Sequence, residues 1–89
     1  MTLDFSPEVK KELRKIRQKD SRLYRKIEKQ LYIFLEDPNH PSLRHHKLSG
    51  NLKELWSISI TDNFRIVYSL EGDTAYFIKI GTHDEVYRK

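Results

Sequence analysis

The sequence predicts an α+β fold: a short N-terminal strand and a helical hairpin packed on a twisted antiparallel sheet that ends in three C-terminal strands. Three observations lead there. Apolar residues recur at helical spacing between Val9 and Leu35, a stretch with two prolines and a glycine follows, and the apolar residues then alternate from Leu55 to Ile80. With 89 residues there is room for one domain, 1–89, and a chain this short buries only about 60 to 68% of the surface its unfolded form exposes. Cysteine is absent, so disulfides, a thiolate zinc site and a cysteine nucleophile are all excluded.

Leu3-Asp4-Phe5 alternates as a short strand. Ser6-Pro7-Glu8 then supplies a capping oxygen, a proline for the first helical position and a carboxylate for the positive first turn. Val9, Leu13 and Ile16 form one apolar stripe, while Lys10, Lys11, Arg14 and Lys15 point elsewhere. Asp20-Ser21 offers a second cap, after which Leu23, Ile27 and Leu31, joined by Tyr24, Phe34 and Leu35, carry a second helix until Pro38 stops it. Between Asp37 and Lys53 an ordered loop is expected, stiffened by Pro38 and Pro41 and pinned to the core by Leu43, Leu48 and Leu52.

Three strands complete the chain, separated by Thr61-Asp62-Asn63 and Glu71-Gly72-Asp73. Read as three-residue hairpin loops, these turns set Ile60 opposite Phe64 and Leu70 opposite Thr74. Trp56 then lies across from Tyr68 and Tyr76, and Ile58 across from Ile66 and Ile78, which makes one apolar face for the helices. The same register sets Arg65 opposite Lys79, with Ser59 on its other flank. Two like charges facing across a ladder are destabilising unless an anion lies near them.

Charge points the same way. Seventeen Lys and Arg against 13 Asp and Glu give +4, and residues 1–36 hold the whole surplus, with ten basic and six acidic side chains. A polyanion is the favoured partner, nucleic acid before membrane, because no lipid anchor or spanning apolar run accompanies the charge. The N-terminus lacks a signal-peptide pattern, and a cytoplasmic location is expected.

The candidate chemistry lies near the C-terminus. His83 follows Lys79 by four residues, Gly81 lets the chain turn back over the cationic face, Tyr87 comes close behind, and His46 lies in the loop that returns to the sheet. Cleaving RNA without a metal needs a base for the 2′-hydroxyl, cations for the pentacoordinate phosphate and an acid for the departing 5′ oxygen. Histidine, lysine, arginine and tyrosine can fill these roles, and Tyr87 and Phe77 can stack an unpaired base. Arg65, Lys79, Phe77, Lys47 and Arg88 are the expected RNA contacts. His40, His45 and His46 are not expected to bind a metal, since no cysteine or spaced acidic partner supports one. No cofactor is expected, and no phosphate loop, nucleophile elbow or HExxH motif is present.

The chain resembles the RelE/ParE superfamily of toxins over nearly its full length. The likeness is carried by the His46-Lys47-Leu48-Ser49-Gly50 loop, Leu55-Trp56-Ser57-Ile58, Asn63-Phe64-Arg65-Ile66-Val67-Tyr68 and the ending Gly81-Thr82-His83-Asp84-Glu85-Val86-Tyr87. Within it the RelE and YafQ-like mRNA interferases are most similar. The resemblance implies a ribosome-dependent endoribonuclease that cuts mRNA and is silenced by a cognate antitoxin, with operator DNA bound only through that antitoxin. Carried over by motif, the site is His83, His46, Lys79, Arg65 and Tyr87. Ser59 stands where YafQ-like proteins have a second active-site histidine, and Asn63-Phe64 where they have an acidic-aromatic pair, which leaves the general base unassigned. Two further readings of the same fold are a ParE-like inhibitor of DNA gyrase and an inert antitoxin-binding module.

Overall fold

The computed structural model describes residues 1–48 and 54–87. In chain order it contains β1 (Thr2–Phe5), α1 (Pro7–Lys19), α2 (Ser21–Glu36), a 3₁₀ turn (Pro41–Leu43), β2 (His46–Leu48), β3 (Leu55–Ser59), β4 (Phe64–Glu71), β5 (Thr74–Thr82) and α3 (His83–Tyr87). The five strands form one sheet in the order β1-β5-β4-β3-β2. The sheet is mixed rather than wholly antiparallel, because β1 runs parallel to β5 at one edge. Leu52 and Arg88 lie outside the described residues.

The hairpin forms as its caps dictate. Ser6 Oγ accepts from Val9 N at 3.1 Å and Pro7 opens α1. Asp20 is the whole connection between the helices: its N–H donates to the Ile16 carbonyl at 2.8 Å, and its carboxylate accepts from Leu23 N at 3.1 Å. One residue therefore ends α1 and starts α2. Val9, Ile27 and Phe34 are buried against Ile58, Ile60, Ile66, Tyr68 and Phe77 of the sheet. Gln30 is buried among them, and its side-chain amide donates to the carbonyls of Ser59 at 2.9 Å and Ser42 at 3.3 Å. It ties α2 to the end of β3 and to the 3₁₀ turn.

The β3–β4 hairpin has the expected register, with Trp56 opposite Tyr68, Ile58 opposite Ile66 and Ser59 opposite Arg65. The β4–β5 hairpin does not. Glu71 pairs with Thr74 across a two-residue turn, and Gly72 takes φ +63°, a conformation that favours glycine. Tyr68 consequently faces Phe77, not Tyr76. A bulge at Ile78, between the Tyr68–Phe77 and Val67–Lys79 pairs, then shifts the register again and brings Ile80 beside Ile66. Phe77, expected on the outer face, is fully buried and stacks on Phe5 with centroids 5.3 Å apart. Arg65 faces Gly81, and Lys79 faces Val67, so the expected like-charge pair does not form.

The loop after α2 is pinned by Leu43, which is fully buried, and contributes a short edge strand, β2, that its composition did not announce. Its two adjacent imidazoles part company. His45 turns to the helix side, where Nε2 lies 2.6 Å from the Tyr68 hydroxyl and the ring packs on Trp56, Phe34 and Tyr68. His46 turns to the other face. His40 caps the 3₁₀ turn, its Nδ1 accepting from Ser42 N at 3.1 Å. No helix among the described residues is long and apolar enough to cross a membrane.

The His45–Tyr68 contact sets a pH window. Burial, the leading cause, lowers the His45 pKa from its ordinary 6.5, helped by the neighbouring His46 and opposed by a bond to the Pro38 carbonyl. Folded His45 thus binds its proton less readily than unfolded His45, and its contribution is complete above pH 6.5 and lost as pH falls below it. Burial pushes the Tyr68 phenol from 10.0 up to about 12. Its contribution is complete below pH 10 and lost as pH rises through about 12. Urea unfolding across pH should give a stability plateau between these limits, and Tyr68→Phe should remove Tyr68's alkaline arm; an unchanged alkaline arm would contradict the assignment. Phe34→Ala, which empties the centre of the helix-sheet interface, should cost about 3 to 5 kcal/mol in the same measurement.

Candidate active site

Alternation along the strands sends His46, Ser57, Arg65 and Val67 to the sheet face away from the hairpin, with His46 opposite Ser57 and Ser57 opposite Val67. The remaining members arrive on α3. Thr82 and Glu85 form a reciprocal cap: Glu85 N donates to Thr82 Oγ1 at 3.3 Å, and Glu85 Oε1 accepts from Thr82 N at 2.8 Å. His83 N donates to the Asn63 carbonyl at 2.9 Å, fastening the start of α3 to the β3–β4 turn. Gly81 leaves room for the Glu85 carboxylate, since a Cβ at that position would lie 2.9 Å from Oε1 and displace the capping oxygen. The helix is thereby held at an angle that returns Tyr87 to the sheet.

A chain of polar contacts results. Arg65 Nη1 donates to Ser57 Oγ at 3.3 Å, Ser57 Oγ lies 2.8 Å from the Tyr87 hydroxyl, and that hydroxyl lies 3.3 Å from His46 Nε2. His46 Nδ1 is 3.3 Å from the Arg44 carbonyl. A guanidinium only donates and a carbonyl only accepts. With His46 neutral and protonated at Nδ1, the order that uses every proton is Arg65 to Ser57 to Tyr87 to His46 Nε2. The Tyr87 ring also neighbours two imidazoles, with His83 at a centroid distance of 4.4 Å and His46 at 6.2 Å. His83 is exposed at the rim, its Nδ1 4.0 Å from the still more exposed Asp84 carboxylate.

Arg65 is the unusual member. It is only 8% exposed, its Nε has no hydrogen-bond partner, and no carboxylate of the described residues is within ion-pair distance of it. A guanidinium removed from water without a counter-charge is strongly disfavoured. Gly81 and Ser59, its cross-strand neighbours, present little bulk and no negative charge. An anion bound beside Arg65 would supply what the protein withholds.

Four of the five expected site residues thus come together: His46, Arg65, His83 and Tyr87. Lys79 does not face Arg65 as expected. The two-residue turn and the bulge pair it with Val67, so it is exposed on the same sheet face two residues before Gly81, the partner of Arg65, and borders a small cavity with Glu8, Glu12 and Glu85. Phe77, in the core, is unavailable to stack a base. Lys47 pairs with Trp56 at the far side of β2 and forms an exposed ion pair with Glu54 at 3.1 Å. Ser57, fully buried at the centre of the polar chain, was missed. A serine in an alternating strand carries no chemical signal until its neighbours are known.

The chain matches, over residues 1–88, the family model described as a bacterial toxin of type II toxin-antitoxin system, YafQ. Solved structures of similar fold include a YoeB/ParE toxin from Agrobacterium tumefaciens, at 22% identity and a TM-score of 0.79, covering 93% of this chain and 99% of that one. The YoeB–YefM complex from Staphylococcus aureus matches at 20% identity and a TM-score of 0.77, covering 93% and 97%. The DinJ–YafQ complex from E. coli matches at 14% identity and a TM-score of 0.77, covering 96% of each chain. No curated protein matches in sequence. At these identities the solved structures speak for the fold, a hairpin on a five-stranded sheet. The family match runs through nearly every residue described above, and on that ground the chain belongs to the YafQ family of toxins of bacterial type II toxin-antitoxin systems.

Proposed function

We propose that this toxin is an endoribonuclease that cleaves mRNA on the ribosome by acid-base chemistry without a metal. The observation that carries the reading is the buried, unpaired Arg65 joined through Ser57 to Tyr87, whose ring neighbours two imidazoles. A phosphodiester meets Arg65 as its missing counter-ion. One imidazole, His46 or His83, takes the proton of the 2′-hydroxyl as that oxygen attacks phosphorus. Arg65 holds the charge that builds on the non-bridging oxygens. The bond from phosphorus to the 5′ oxygen breaks, and the other imidazole protonates the leaving oxygen. The products are a 2′,3′-cyclic phosphate and a free 5′-hydroxyl. Tyr87 orients both imidazoles and offers a ring face to a base.

The ribosome enters through charge. Arg22, Arg25, Lys26 and Lys29, with Asp20 and Thr61, line one groove between α2 and the β3–β4 turn, and these cations offer contacts to backbone phosphates of a structured RNA. Relatives of the same fold were solved with partners, as YoeB–YefM and DinJ–YafQ complexes. We extend that arrangement to a cognate antitoxin that silences this chain in the cytoplasm and alone contacts operator DNA.

Mapping mRNA ends after incubation with translating ribosomes tests the reading. Wild type should leave cyclic phosphate ends. His83→Ala should slow cleavage by about 100-fold or more, and Arg65→Lys, which removes the planar fork, by about 100-fold. Intact message together with inhibited gyrase supercoiling would transfer the protein to the ParE-like reading.

A further inference from the structure

The segment that carries His46 into the site is held in an unfavourable conformation. Arg44 has φ +44° and ψ +46°, the left-handed region that a non-glycine residue rarely adopts. Such a residue persists only where its surroundings over-determine it. On its N-terminal side the anchor is Leu43, fully buried, with Arg44 N donating to the Pro41 carbonyl at 3.2 Å. On its C-terminal side the anchor is His45. Its Nε2 lies 2.6 Å from the Tyr68 hydroxyl, and its ring contacts Trp56 at 5.0 Å and Phe34 and Tyr68 at 5.8 Å. The other ties at Arg44 are weak: an exposed ion pair to Asp62 at 3.6 Å and a 3.3 Å contact from its carbonyl to His46 Nδ1.

The His46 backbone pairs with Ser57 in the β2–β3 ladder, but its side chain is loosely held: its two polar contacts are both 3.3 Å long, and β2 is a three-residue edge strand. We propose that His45 is a positioning residue for the site: its imidazole, locked to Tyr68 on the helix side, fixes the left-handed turn at Arg44 and so holds His46 against Tyr87 on the opposite face. Consecutive residues of an extended chain point to opposite faces, so fixing one ring sets the direction of the next. Nothing in the cleavage chemistry uses His45, which never reaches that face.

The groups around His45 are few. Tyr68 from β4 and His46 beside it in the chain are titratable; Phe34 from α2 and Trp56 from β3 are neutral. Among the described residues no carboxylate pairs with it. A neutral His45 can accept from the Tyr68 hydroxyl through Nε2, which lies 2.6 Å from it.

The activity arm of the test rests on the nuclease reading, and the structural arm does not. In the purified full-length chain, the nuclear Overhauser effect between the His46 and Tyr87 rings is compared in wild type, His45→Phe and Tyr68→Phe. His45→Phe keeps an aromatic ring and loses both nitrogens. Tyr68→Phe keeps every ring contact and carries the same test should His45→Phe fail to fold. The expected result is a His46–Tyr87 effect reduced several-fold in either folded variant, with kcat for ribosomal mRNA cleavage down about tenfold and KM within about twofold. The double variant should be no worse than the more affected single one, because both break one contact. A folded variant that keeps the full effect and wild-type kcat would overturn the proposal. Should wild type cleave no message, the nuclease reading falls, and the ring-to-ring effect alone still decides for or against His45.

Discussion

Arg65 sits inside the sheet with no carboxylate paired to it among the described residues, and its surroundings accommodate that charge. Ser57 gives it one oxygen, Gly81 and Ser59 leave it room, and Tyr87 closes over the serine from α3. A structural arginine at this depth would ordinarily have an acidic partner, since pairing offsets the cost of removing the ion from water. Among the described residues no such partner is present, and the polar link that is present leads away through hydroxyls to an imidazole. In the proposed function this buried cation is a place for a ligand that brings the negative charge with it.

The two sides of the sheet divide the work. On the helix side, Phe34, Tyr68 and Phe77 form an aromatic centre whose packing fixes where β3, β4 and β5 lie. On the other side those strands present polar groups that make few contacts of their own. His46 and His83 are both exposed, and each is oriented chiefly by the Tyr87 ring. The His45–Tyr68 bond connects the two sides, since it belongs to the core and yet adjoins a residue of the site. Precision on the polar face is therefore borrowed from packing on the apolar one.

Much of this was legible in the residues. The caps at Ser6 and Asp20, the stripe of Val9, Leu13 and Ile16, and the three-residue β3–β4 turn all act through local chemistry, so a linear reading finds them. That His46, Arg65, His83 and Tyr87 lie near one another was also expected, Arg65 from strand alternation and the other three from the turn at Gly81, the returning loop and the resemblance. The partner of Lys79 and the burial of Phe77 were not. Tyr76, Phe77, Ile78 and Ile80 are all apolar or aromatic, so alternation there admits two registers; only the Gly72-Asp73 turn and the bulge at Ile78 decide between them. The separation of His45 from His46 was hidden for another reason. Adjacent histidines in a loop look alike until Tyr68 and Tyr87, distant in sequence, claim one each.

The claim beneath all of this is that Arg65 is an anion site, and the Nε–H resonance of Arg65 reports on it directly. Titrated with a short RNA carrying 2′-O-methyl groups, so that it binds without being cut, that resonance should move saturably and the binding should weaken as salt rises. In Arg65→Lys the RNA should bind at least about tenfold more weakly. An Nε–H signal that stays fixed while RNA binds elsewhere, with Arg65→Lys binding as wild type does, would contradict the account.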